Sequence, residues 1–213
     1  MPSREGAVRT PRHAGECFME PSRLLFHFSE KTLRSTQKIT RAAFLTAVCV
    51  VLGYLFMPIP NLEMITAGIF LAGVWMGPIY GFFIGLVAET IFSLFNPMGF
   101  PPPPLLLSQV ASMSLVGWVG GVLHGVLGRS VFFRLRNWSV HLMLALIGIA
   151  LTLIFDLLTN LSFPIAAGFT LKQIRLALLM GIPFAVIHIT VNAFTFALII
   201  PVFLNRFKSW RLP

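Results

Sequence analysis

Across residues 42–128 the chain carries no lysine or arginine, and its only carboxylates there are Glu63 and Glu89. A soluble domain is roughly 25% charged, whereas this chain is 11% charged and 56% hydrophobic, with a mean hydropathy of +0.85. That composition supplies too little polar surface to cover a folded chain of 213 residues in water. The chain is expected to be an all-α integral membrane protein. At ~20 residues per crossing, its length suits a bundle of about six helices.

Apolar runs at residues 40–57, 64–77, 79–95, 105–127, 140–161 and 183–204 supply those six helices. Proline and glycine punctuate them. Gly77-Pro78 predicts a tight turn, because proline cannot continue the hydrogen-bond ladder of the preceding helix. Residues 162–180 read as a longer connection containing an interfacial helical turn around Lys172 and Arg175. The membrane domain is thus expected over residues 38–207, between a basic, poorly ordered tail over residues 1–37 and a short basic tail over residues 208–213. The first tail reads as lacking a secretory signal, and Met19 is an alternative start.

The formal charge of +9 comes from basic clusters in the N-terminal tail, at Arg129, Arg134 and Arg136, at Lys172 and Arg175, and at Arg206, Lys208 and Arg211. Such clusters orient a membrane protein and contact anionic lipid headgroups, so nucleic acid is excluded as the partner. With six crossings, both tails and the loop carrying Arg129 fall on the cytoplasmic side. The connections after helices 1, 3 and 5 then face outward, and Lys172 with Arg175 forms a weaker, opposing cluster there. Cys17 and Cys49 match no metal spacing and define no disulfide framework. Metalloprotease, hydrolase-elbow and phosphate-loop motifs are all lacking, so the chain is read as a non-enzyme without a metal or cofactor of its own.

Polar residues inside the apolar runs are costly and mark candidate sites. They are Glu89, His124, Asp156, Asn160, His188 and Asn192. Glu89 shares a helical face with Gly81, Gly85 and Ser93, and the glycines admit a close neighbouring helix. Asp156 with Asn160, and His188 with Asn192, are each four residues apart and so share a face. Either the two pairs line one cavity and contact a ligand, or they satisfy each other, for instance through an Asp156–His188 hydrogen bond. Residues 89–109 form an outer hairpin, with an Asn-Pro-Met-Gly turn, four prolines expected to be stiff and extended, and Gln109 at the start of the next helix.

Ala43 and Ala47 form an Ala-x-x-x-Ala pair at the inner end of helix 1. A polar first outer loop, Pro58-Ile-Pro-Asn-Leu-Glu63, then Phe95-Asn-Pro-Met-Gly-Phe and Phe155-Asp-Leu-Leu-Thr-Asn-Leu follow in order. Together these resemble the substrate-binding S components of energy-coupling factor (ECF) vitamin transporters. The resemblance implies a six-helix bundle in a prokaryotic cytoplasmic membrane with both termini cytoplasmic. It implies high-affinity capture of a vitamin or cofactor precursor, followed by docking on a transmembrane coupling subunit driven by two ABC ATPases, which alone use ATP. It also implies roles for residues. Ala43 and Ala47 would dock on the coupling subunit; Asn61, Glu63, Asn96 and Gly99 would cap the pocket; Gln109, Asp156, Asn160, His188 and Asn192 would line it. Nothing at the start of helix 1 resembles the His-bearing site of the nickel and cobalt members. An organic substrate is therefore expected, such as a corrinoid, a flavin or a deazapurine. The rival readings are a structural scaffold of the cell-shape kind and a small proton-coupled carrier using Glu89 and Asp156.

Overall fold

A computed structural model describes residues 21–59, 62–126 and 138–206, with side chains over residues 35–59, 62–123 and 138–206. The chain divides into two units, Met1–Gln37 and Lys38–Pro213, and the helical bundle belongs to the second. Every regular element among the described residues is helical: α1 (Pro21–Phe56), α2 (Ile65–Met76), α3 (Pro78–Leu94), α4 (Pro103–Val126), α5 (Trp138–Ala166), α6 (Leu171–Phe194), a π-helical turn (Thr195–Ile199) and α7 (Ile200–Arg206). Four segments are long and apolar enough to cross a bilayer: Ser35–Phe56, Pro103–Leu123, Trp138–Ala166 and Leu171–Arg206. Phe44, Leu146, Leu179 and Phe203 on these helices, and Phe83 on α3, lie exposed, a surface that lipid solvates and water does not.

α4 is the central helix and packs on α2, α3 and α5. α2 is apolar on every side and almost wholly buried, with Ile65, Ile69, Phe70 and Val74 fully enclosed. Its 12 residues reach only about 18 Å at 1.5 Å per residue, short of a hydrocarbon core of ~30 Å. Neighbouring helices shelter it, so it need not match the lipid. Gly77 joins α2 to α3 at φ +89°, a conformation that suits glycine, and Pro78 occupies the first turn of α3, where its missing N–H costs nothing. The tight turn expected from Gly77-Pro78 is present.

α3 and α4 touch backbone to backbone. A Cβ on Gly81 would meet the Gly117 carbonyl, one on Gly117 would meet the Gly81 carbonyl, and one on Gly85 would meet the Met113 carbonyl. The face read from Gly81, Gly85, Glu89 and Ser93 is the one that packs on α4. α1 joins the bundle through buried Leu45 and Cys49, and Tyr54 donates to the Phe92 carbonyl at 3.3 Å while its ring leans on Phe92.

Three boundaries differ from the sequence expectation. α1 is helical from Pro21, well before residue 40. Pro103 and Pro104 are not extended but open α4, a position where proline is favoured. The long connection over residues 162–180 is also corrected: α5 runs to Ala166 and α6 starts at Leu171. Pro164 and Pro183 lie inside helices, which apolar bundles tolerate when other groups meet the freed carbonyls. A capping box starts α6, with the Gln173 amide accepting from the Thr170 backbone and the Thr170 hydroxyl accepting from the Gln173 backbone. Thr170→Ala is expected to lower stability by about 1 kcal/mol, read as a small drop in the thermal unfolding midpoint with no change in helix content.

Candidate functional site

His188 of α6 stands between two carboxylates. Its Nδ1 lies 2.8 Å from Asp156 Oδ1 on α5, and its Nε2 lies 3.0 Å from Glu63 Oε1, just before α2. With both carboxyls ionised, each only accepts, and both ring nitrogens then donate as those of an imidazolium. Phe155 packs edge-on against the ring, at 82° with centroids 5.8 Å apart, and fixes its plane. Thr66, in the first turn of α2, donates to the same Glu63 oxygen. The positive end of α2 also favours a carboxylate at that place. Burial alone would push the Glu63 carboxyl up. The hydrogen bond and charge of His188, together with Thr66 and the nearby Asn192 amide, hold it below the usual carboxylate range.

One turn along α6, Asn192 is 0% exposed, and neither its amide nitrogen nor its amide oxygen reaches hydrogen-bonding geometry with any group. On the α3 side Glu89 is 2% exposed; its Oε1 accepts from Ser93 at 2.9 Å, and the Ser93 hydroxyl lies 3.4 Å from the Gln109 amide oxygen. Glu89 lies within electrostatic range of Glu63. Among the described residues, four buried side-chain polar atoms lack a partner: Glu89 Oε2, Asp156 Oδ2 and the two amide atoms of Asn192. All belong to this one neighbourhood.

The structure therefore gathers Glu63, Asp156, His188 and Asn192, with Glu89, Ser93 and Gln109 alongside. The mutual Asp156–His188 hydrogen bond is real, and Glu63 joins it from a loop. Asn160 is exposed and donates to the Asp156 carbonyl at 2.8 Å, one turn outside the cluster. Asn96 is half-buried and accepts from Met98 N at 2.9 Å, so its side chain closes its own turn, while Gly99 is exposed at φ +118°. Asn61 and the side chain of His124 lie outside the described residues. Thr66, Ser93 and Phe155 take part in the site although the sequence reading does not name them as site residues. One signal does exist for Thr66. It follows Glu63 by three residues at a helix start, a spacing that lets the hydroxyl reach the carboxylate.

Two grooves flank the bundle. One, of about 470 Å³ between α5 and α6, has apolar walls including Leu153, Leu157, Leu178 and Ile182, and reaches Asp156, Asn160 and Arg175. The other, of about 610 Å³ between α1 and α3, is lined by Ala43, Ala47, Thr46, Tyr80, Phe83 and Val87. Both alanines are exposed.

Long apolar helices around a hydrogen-bonded carboxyl–imidazole cluster define a multi-pass membrane protein with an internal polar site. The family model described as "ECF transporter, substrate-specific component" matches residues 37–200, and the chain belongs to that family. It is thus a subunit of a transporter and not an enzyme. No curated protein and no solved structure matches the chain.

Proposed function

We propose that this chain captures a small organic, vitamin-like molecule with high affinity at the Glu63–His188–Asp156–Asn192 cluster. It then delivers the molecule through an ECF coupling subunit and two ABC ATPases. In this reading it crosses a prokaryotic cytoplasmic membrane six times, α2 and α3 included, with both termini on the cytoplasmic side where most basic residues lie. The α1–α3 groove, with Ala43 and Ala47 on its floor, receives the coupling subunit, since small residues let a partner helix approach the backbone. The role of Asn61, Asn96 and Gly99 as a cap, and of Asn160 at the groove, belongs to the same reading.

Asn192 carries the proposal. A buried amide with both ends unmet costs about 1–3 kcal/mol per group, and a chain tolerates that where a ligand uses the group. Asn192→Leu keeps the volume and breaks no hydrogen bond of full geometry, removing only the nearby amide that helps hold Glu63 down. The empty variant is expected to unfold at the same temperature or higher, while native mass spectrometry finds the bound small molecule depleted about tenfold or more. A variant that loses stability and keeps its ligand would make Asn192 a structural residue and sink the assignment.

A further inference from the structure

The chemistry of the cluster is one-sided. Glu63, Asp156 and Glu89 bring three carboxyl groups, and among the described residues His188 is the one basic side chain hydrogen-bonded to any of them, with both ring nitrogens already committed. The His188 trio alone holds two carboxylates to one imidazolium. No lysine or arginine occurs in α2, α3, α4 or α5. In α6 the only two, Lys172 and Arg175, sit in the first turns and are exposed, more than two turns from His188 at 3.6 residues per turn.

At the His188 trio an anionic head would therefore face carboxylate oxygens; the one positive charge lining the α5–α6 groove, Arg175, lies more than three turns from His188 along α6. Of the unpartnered buried atoms beside His188, Asp156 Oδ2 and the Asn192 oxygen accept and the Asn192 nitrogen donates, while Glu89 Oε2 accepts only when its carboxyl is ionised. Such a set matches a group with several N–H donors, one acceptor and a positive charge. Amidinium-like and protonated amino-heterocyclic heads have that pattern; carboxylates and phosphates do not. The α5–α6 groove, apolar-walled and ending on Asp156, offers an approach for a flat apolar body behind such a head.

Building on the substrate-binding role above, we infer that the substrate is a cationic nitrogen base whose N–H groups face Glu63, Asp156 and Asn192, and not a carboxylate or phosphate. A flavin or a corrinoid carries no such head. Binding replaces an excess of buried negative charge with a paired one, the condition under which buried charges are stable.

The test uses the full chain in lipid nanodiscs and a small-molecule cell extract split at pH 7 by ion exchange into cationic, neutral and anionic fractions. The cationic fraction is expected to raise the unfolding midpoint, and native mass spectrometry to show one bound species. Asp156→Asn is expected to weaken that response about tenfold or more. Stabilisation by the neutral or anionic fraction alone overturns the cationic assignment and leaves the substrate-binding role standing. A protein that purifies empty and responds to none of the three overturns both.

Discussion

Gly117→Leu is expected to leave no monodisperse, folded protein after detergent extraction. The new side chain would start inside the Gly81 carbonyl of α3, with Ile69 on its other side. Backbone cannot rotate away as a side-chain tip can, so α3 and α4 would have to separate. Ile84, Met113 and Val116, all nearly fully buried at this contact, would lose their packing together. Overpacking usually costs about 1–3 kcal/mol where side chains yield; here nothing yields, and the cost exceeds that range. Gly68→Ala is the permissive comparison, since its Cβ would meet the Cys49 sulfur at 3.2 Å, the end of Leu52 at 3.4 Å and the Cys49 Cα at an ordinary 3.8 Å. Size-exclusion profiles and unfolding midpoints should separate the two sharply. A well-behaved Gly117→Leu protein would mean that α3 and α4 are not in backbone contact.

Ala47→Trp is expected to abolish uptake and leave substrate binding intact. Ala47 is exposed in the α1–α3 groove, whose lining includes none of Glu63, Asp156, His188 and Asn192. An indole there fills the floor on which a partner helix would lie and holds that helix away from the α1 backbone. Uptake into vesicles carrying the coupling subunit and ATPases should fall to background, with the ligand still present by native mass spectrometry. Ala43→Trp, one turn away on the same face, should behave alike. If binding disappears along with uptake, the groove supports the site and is not the docking face.

The helical class, the Gly77-Pro78 turn and the close face of α3 are readable in the sequence because each follows from local stereochemistry. Charge scarcity excludes a soluble surface, a proline after glycine ends a helix, and a four-residue repeat defines a face. The Asp156–His188 contact is also accessible, as one of two ways to satisfy polar pairs in neighbouring apolar helices. Its third member enters the sequence reading only as part of a cap. Glu63 and His188 are 125 residues apart in the chain, and no periodicity connects a loop carboxylate to a helix. The outer halves of α5 and α6 mislead for a different reason. Pro164, Pro183, Lys172 and Arg175 look like breakers and loop polarity, but the Thr170–Gln173 box starts a new helix at once and overrides them.

Buried positions along the last two helices recur every four residues, at His188, Asn192, Phe196, Ile200 and Leu204. An α-helix turns once in 3.6 residues, so a strict four-residue repeat rotates by about 40° at each step. Over this span a uniform α-helix would carry Leu204 well around from His188. The wider turn at Thr195–Ile199 takes up part of that rotation, and Phe196 within it packs on Phe70 and beneath Gly148. The turn thus acts as a phase adjuster between two registers, one serving the polar cluster and one serving the apolar C-terminal anchor. A change of one residue in its length would swing one register against the other by about 100°. The azimuth of the site can therefore be retuned there without rewriting either flanking sequence.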